Sequence, residues 1–230
     1  YFAFAPAPGG FQVGNPTLDA EKKIEAEWGL DWGVRWAELS VSAYHAWVKD
    51  YILQTDIDRR DVNGDGTLDL VRGFENIEAR LYGFESSVTV NPSRHWSIPL
   101  ALSYTRGRNA SDDLDLPEIP PLEGRAALVA RWDGSWPGSV EIGGRFAADQ
   151  NDVDEEFPED DTPGFAVFHL RGTVRLFDRL QLDAGVENLF NKDYNEHLTR
   201  EAMFAAEDLR AGDEVPAPGR GFYVAMRAAL

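Results

Sequence analysis

GRGFYVAMRAAL, residues Gly219 to Leu230, closes the chain and puts Phe222, Val224, Met226, Ala228 and Leu230 on one face of an extended segment. Successive side chains of a β-strand point to opposite sides, so strict alternation over this length is a strand signal. Eight more segments upstream alternate in the same way. Each is long enough to cross a bilayer, which takes about 9–11 residues of tilted strand. A terminal alternating strand at the end of such a series reads as the last strand of an outer-membrane β-barrel.

The first segment, about 23–32, sets Ile24, Ala26, Trp28, Leu30 and Trp32 against Lys23, Glu25, Glu27 and Asp31. The second, 38–51, groups Leu39, Val41, Ala43 and Trp47, and the third, 77–90, opposes Tyr82, Phe84, Val88 and Val90 to Gly83, Glu85, Ser87 and Thr89. The fourth, from His95, aligns Trp96, Ile98, Leu100, Leu102 and Tyr104, and the fifth aligns Leu122, Ala126, Leu128, Ala130 and Trp132 against Glu123, Arg125 and Arg131. The sixth opposes Val140, Ile142, Phe146 and Ala148 to Glu141, Arg145 and Asp149, and the seventh opposes Phe168, Leu170, Val174 and Leu176 to His169, Arg171, Thr173 and Arg175. The eighth opposes Leu180, Leu182, Ala184 and Val186 to Gln181, Asp183 and Glu187.

Alternation alone does not say which face meets water. The connections decide it. Joins at 32–36, 91–95, 133–138 and 177–179 are tight, while those at 53–73, 107–120, 150–163 and 191–220 are long. Short and long alternate strictly, which matches brief periplasmic turns and long extracellular loops. A soluble sandwich has no reason to sort its loops by length. Trp28, Trp32, Trp36, Trp96, Trp132, Trp136, Phe177, Phe190 and Tyr223 sit near strand ends, where interfacial aromatic girdles form.

Composition fits this reading. Mean hydropathy is -0.38, yet a transmembrane strand carries polar side chains on its inner face, so this value does not exclude the bilayer. A net charge of -18 and the absence of cysteine argue against nucleic acid as partner and against a disulfide scaffold, since phosphate binding needs a basic face. The chain from Tyr1 carries no secretory signal to read, as expected of a processed chain or a fragment, and nine strands is an odd number where closed single-chain barrels use an even one, so strands are expected to be missing. Residues 1–5 are a candidate stub of a tenth strand, which would give a small complete porin-like barrel. A soluble β-domain binding a ligand or carbohydrate is the other alternative.

Particular runs then resemble a family. GNPTLDAEK (14–22), HAWVKDYI (45–52), NIEARLYGFE (76–85), LPEIPPLEGRAAL (116–128), GVENLFNKDYNEHL (185–198) and PGRGFYVAMR (218–227) are similar, in order, to landmarks of TonB-dependent outer-membrane receptors. The resemblance implies an all-β antiparallel barrel of roughly 22 strands filled by an N-terminal plug, of which residues 1–230 would be the C-terminal part, about nine strands. It implies TonB as partner through a plug outside this chain, a ferric siderophore or other metal chelate as ligand, and a Gram-negative outer membrane as location, in contact with its lipid and lipopolysaccharide. The family's usual terminal Phe is replaced by Leu230.

Candidate site residues are few. In DVNGDGTLD, Asp61, Asn63, Asp65 and Asp69 with Gly66 match the start of a calcium loop, but Arg72 stands where the bidentate Glu belongs. An Asx/Gly turn is the plainer reading, with a structural Ca2+ as the alternative and no cofactor required. The acidic run Asp152, Asp154, Glu155, Glu156, Glu159, Asp160 and Asp161 reads as a solvated loop that could attract cations. For ligand binding, His169, Arg171 and Arg145 are expected on the lumen face and His197 and Met203 in the last long loop; imidazole and thioether are groups that copper prefers. Lumen charges such as Glu85, Arg125, Arg131, Arg175, Asp183 and Glu187 are expected to pair with each other or with the plug. No GxSxG, HExxH, Walker loop or cysteine nucleophile occurs, and no enzymatic role is expected.

Overall fold

The computed structural model describes residues 4–7, 10–62, 64–153, 159–177, 179–199, 210 and 214–228. The described residues fold into strands and connections, with no helix among them. Nine long strands are present: β3 (Lys22–Val34), β4 (Ala37–Arg60), β5 (Asp69–Ser93), β6 (Trp96–Asn109), β8 (Glu123–Trp132), β9 (Gly138–Ala147), β10 (Phe165–Leu176), β11 (Leu180–Glu187) and β12 (Gly221–Ala228). Three short ones join them: β1 (Phe4–Ala7), β2 (Gly10–Val13) and β7 (Leu114–Asp115). All belong to one sheet.

The long strands pair antiparallel in chain order from β3 to β12, in the registers that up-and-down hairpins require. At the two ends of this run, β3 pairs among the described residues with β4 alone and β12 with β11 alone, so the sheet is open.

Register confirms the two faces. Trp28 lies opposite Ala43, Ala43 opposite Phe84, and Phe84 opposite Tyr104, whereas Glu27, Tyr44, Gly83 and Thr105 line the other side. Among the described residues nothing is packed on the apolar face: Ile24 is 73% exposed, Trp28 61%, Val224 80% and Met226 67%. A sheet that exposes its apolar side chains in a continuous band needs lipid there. Trp32, Trp36, Trp96, Trp132, Trp136 and Phe177 gather at the short-turn end and are all exposed, as an interfacial girdle requires.

Three expectations change. The long connection at 53–73 is mostly ribbon, because β4 and β5 continue paired as far as Arg60 and Asp69. Alternation faded there because a bulge between Val48 and Tyr51 shifts the faces and places Asp50 at φ 59°. Phe4–Ala7 is no tenth spanning strand: it folds back on Gly10–Val13, and β2 runs parallel to the outer end of β5. It is too short to cross a bilayer. Tyr223 is not a girdle residue: its ring lies over Gly185 on the charged face, where an added Cβ would meet it at 2.5 Å.

Among the described residues, a buried apolar cluster sits at the long-loop end. Val48, Leu53, Ile77 and Ala79 on the inner side are covered by Leu116, with Ile119 beside it, so the Pro-Pro connection folds inward over the mouth. Gly107 permits this approach, since a Cβ there would lie 2.7 Å from Ile119 Cδ1.

Candidate functional site

The inner face of β8 to β11, with loops folded onto its outer end, brings four of the five expected ligand residues into one region. Arg145 on β9 is clamped from two sides. It donates to Glu123 at 2.7 Å and to Glu196 of the last long loop at 2.5 and 2.7 Å, and its guanidinium lies 5.3 Å from the Phe165 ring. The Phe165 ring packs against Tyr194 in a tilted arrangement, with centroids 4.3 Å apart. Burial, and after it the Glu196 carboxylate, push the Tyr194 phenol up from its ordinary value.

His197 follows Glu196 and is almost fully enclosed, its side chain 2% exposed. Its Nδ1 lies 2.9 Å from Thr162 Oγ1, and its Nε2 lies 3.0 Å from Glu159 Oε1 without hydrogen-bond alignment. Glu159 also accepts from the Glu118 amide, and Gln150 donates to the Ile119 carbonyl. Three outer connections therefore meet at one polar knot. The acidic run departs from a solvated loop at two points, because the Glu159 side chain is only 9% exposed and Asp152 pairs with Arg106. Residues 154–156 and Met203 lie outside the described residues.

Nearer the short-turn end, His169 Nε2 contacts Glu141 at 2.8 Å, and Arg171 donates to Glu187 at 2.8 and 3.0 Å with Glu141 3.6 Å away. Both face the interior as expected. Each described basic side chain of the candidate set thus lies against a carboxylate of the same chain. This arrangement braces the wall and leaves Arg145 and Arg171 already occupied by acids of the same chain.

In the 61–69 loop the carboxylates serve the backbone. Asp61 accepts from the amides of Gly64 and Gly66, Asp65 from Thr67, and Asp69 from Val62. These are Asx-type turns. Asn63 lies outside the described residues, and no group of three His, Cys, Asp or Glu with metal-holding geometry occurs among them.

Sequence reasoning missed the amides that tie the landmark runs together. Asn76 Nδ2 donates to the carbonyls of Asp19 and Asp50, while its Oδ1 accepts from the Asp19 amide. Glu21 accepts from the Ile52 amide and Lys22 pairs with Asp50 at 3.0 Å. The runs at 14–22, 45–52 and 76–85 therefore converge on one node where the β4–β5 ribbon leaves the wall. Asn188, at φ 46°, donates to the carbonyls of Lys192 and Pro218, and Asn191 accepts from the Arg220 amide. This joins the runs 185–198 and 218–227. Polar residues at fixed offsets inside each run were the available signal.

A family model described as TonB dependent receptor-like, beta-barrel, matches residues 1–189. Among solved structures the chain is similar to the copper transporter OprC, with TM-score 0.80 and 31% identity over 94% of this chain and 33% of that one. It shares its fold with the FrpB iron transporter from Neisseria meningitidis, with TM-score 0.69 and 17% identity over 95% of this chain and 33% of that one. The same holds for a mutant of the ferric enterobactin receptor PfeA from Pseudomonas aeruginosa, with TM-score 0.70 and 19% identity over 99% of this chain and 35% of that one. The chain spans about a third of the length of these structures. No curated protein sequence matches it.

Proposed function

The chain belongs to the TonB-dependent receptors through their β-barrel domain, and from that premise we propose that it is the C-terminal wall of an outer-membrane importer for a scarce metal nutrient, taken up as a ferric siderophore or related metal chelate. Receptors of this family are outer-membrane β-barrels. The observation that carries the reading is the open, two-faced sheet: an uncovered apolar band outside and a charged wall inside. Such a wall supplies a passage, and a plug in the rest of the protein would couple it to TonB.

A second cargo, copper, is favoured by the 31% identity to a copper transporter. Two acid-bound arginines of the inner wall add weight to it, because an anionic chelate would find Arg145 and Arg171 already held.

Uptake by cells expressing the full-length receptor, with and without TonB, tests both. TonB-dependent accumulation of labelled ferric siderophore supports the first cargo and accumulation of labelled copper the second. TonB-independent leakage of small solutes overturns the importer in favour of an open porin.

A further inference from the structure

Around the charged wall, the sign of the charge changes with position. At membrane depth the inner face of β3 to β5 carries Glu25, Glu27, Asp31, Glu38 and Glu85, with Lys23 as its cation. The inner face of β8 to β12 carries Arg125, Arg131, Arg145, Arg171, Arg175 and Arg227, against four acids, Glu123, Glu141, Asp183 and Glu187. Where the halves meet lies a groove of about 330 Å³ in which the hydroxyls of Ser40, Ser42, Ser87 and Ser103 separate Glu85 on one side from Glu123 and Arg125 on the other.

The two halves are also incompletely paired. Lys23 takes Glu25 at 2.8 Å, but among the described residues Glu27, Asp31, Glu38 and Glu85 make no ion pair or side-chain hydrogen bond. Arg145 and Arg171 are held by acids, whereas Arg125, Arg131 and Arg175 make none and Arg227 acts on Asp183 only at longer range, without a direct pair. Charges of one sign facing a filled interior, cut off from bulk water, are costly unless matched. Barrels of this size enclose a plugged lumen.

We infer that the domain filling the lumen presents a cationic surface to β3–β5 and an anionic surface to β8–β12, so that charge sets its rotational seating in the barrel. The inference rests on the proposed function, which supplies a lumen-filling domain. Complementary charge fixes register between surfaces that contacts of uniform polarity would leave free to slip. The small side chains of the central groove mark the boundary between the two surfaces.

The test uses the full-length receptor in planar bilayers and reads the urea concentration at which the lumen begins to conduct. Glu27→Lys with Asp31→Lys, and separately Arg175→Glu with Arg227→Glu, should each raise open probability at a fixed urea concentration by on the order of tenfold. Lys49→Glu, a reversal on the outward face, should leave it unchanged. Heat-modifiable migration establishes that each barrel has closed. Closed barrels that open at the wild-type urea concentration in both pairs overturn the inference. Should the variants fail to assemble, the wild-type receptor decides. Its opening concentration should fall as salt rises, because salt screens ion pairs, and a salt-independent value overturns the inference. A wild-type receptor that conducts freely without urea instead overturns the importer reading itself, because nothing then fills the lumen.

Discussion

Arg145 shows how one side chain ties a wall to a loop. Its fork reaches Glu123 on the neighbouring strand and Glu196 in the last long connection, and its partly buried setting makes charge-assisted bonds worth keeping. Arg145→Ala should free the 188–199 segment at a cost of about 2 kcal/mol. Arg145→Lys should recover less than half of that, because an ammonium cannot bridge two carboxylates as a planar fork does. Hydrogen exchange of the 188–199 amides in the full-length receptor checks both, and unchanged protection in Arg145→Ala would show that the clamp holds nothing. Asn76 is the parallel case on the other side of the wall. It satisfies three backbone groups of two other segments, and each polar group left unsatisfied costs about 1–3 kcal/mol where it is buried. Asn76→Ala should therefore loosen residues 14–22 and the bulge at Asp50 together, and limited proteolysis should find new cleavage at both. Cleavage at one site alone would mean that the two segments are held independently.

Gly185 shows what alternation conceals at the level of strands. It sits opposite Tyr223 across β11 and β12, and the Tyr223 ring lies flat over it, 2.5 Å from where a Cβ would be. Gly83 plays the same part under Tyr44, whose hydroxyl then reaches Thr105 at 3.0 Å. Gly185→Val should displace Tyr223 and reduce the folded, heat-modifiable fraction of the full-length receptor, and adding Tyr223→Ser should restore it. A Gly185→Val receptor that assembles at the wild-type level would show the ring has other room. The nine strands and both faces were legible in the sequence because a membrane wall writes period two into every spanning segment. The outer ribbon was not, because above the lipid neither face has to be apolar and the bulge at 48–51 breaks the phase. Tyr223 was misplaced because an aromatic near a strand end looks the same in sequence whether it meets lipid or covers a glycine. The candidate site was half legible. His169, Arg171 and Arg145 fall on the inner face by parity, but their acidic partners come from other strands and from a loop, and no local spacing encodes such pairs.

At the scale of the whole molecule, the chain is a curtain with two free edges. β3 and β12 each present unpaired backbone amides and carbonyls along one side among the described residues, and in hydrocarbon each unsatisfied group costs several kcal/mol. The apolar band across β3 to β12 is uncovered as well, while the buried cluster comprises little more than Val48, Leu53, Ile77, Ala79 and Leu116. Neither feature allows this segment to be a stable soluble body, since exposed edges and an apolar face both drive association. Expressed alone, residues 1–230 should aggregate without detergent and in detergent should run on an unheated gel at the same position as the boiled sample. The full-length receptor should stay monodisperse in detergent and shift on boiling. The informative comparison is the two edges. In the proposed importer, barrel strands outside residues 1–230 would cover β3 on one side and β12 on the other, so extending the segment along one edge alone should not produce heat-modifiable migration. Segment 1–230 shifting on boiling by itself would mean that β3 and β12 meet, and would turn the curtain into a small closed barrel with no room for a plug.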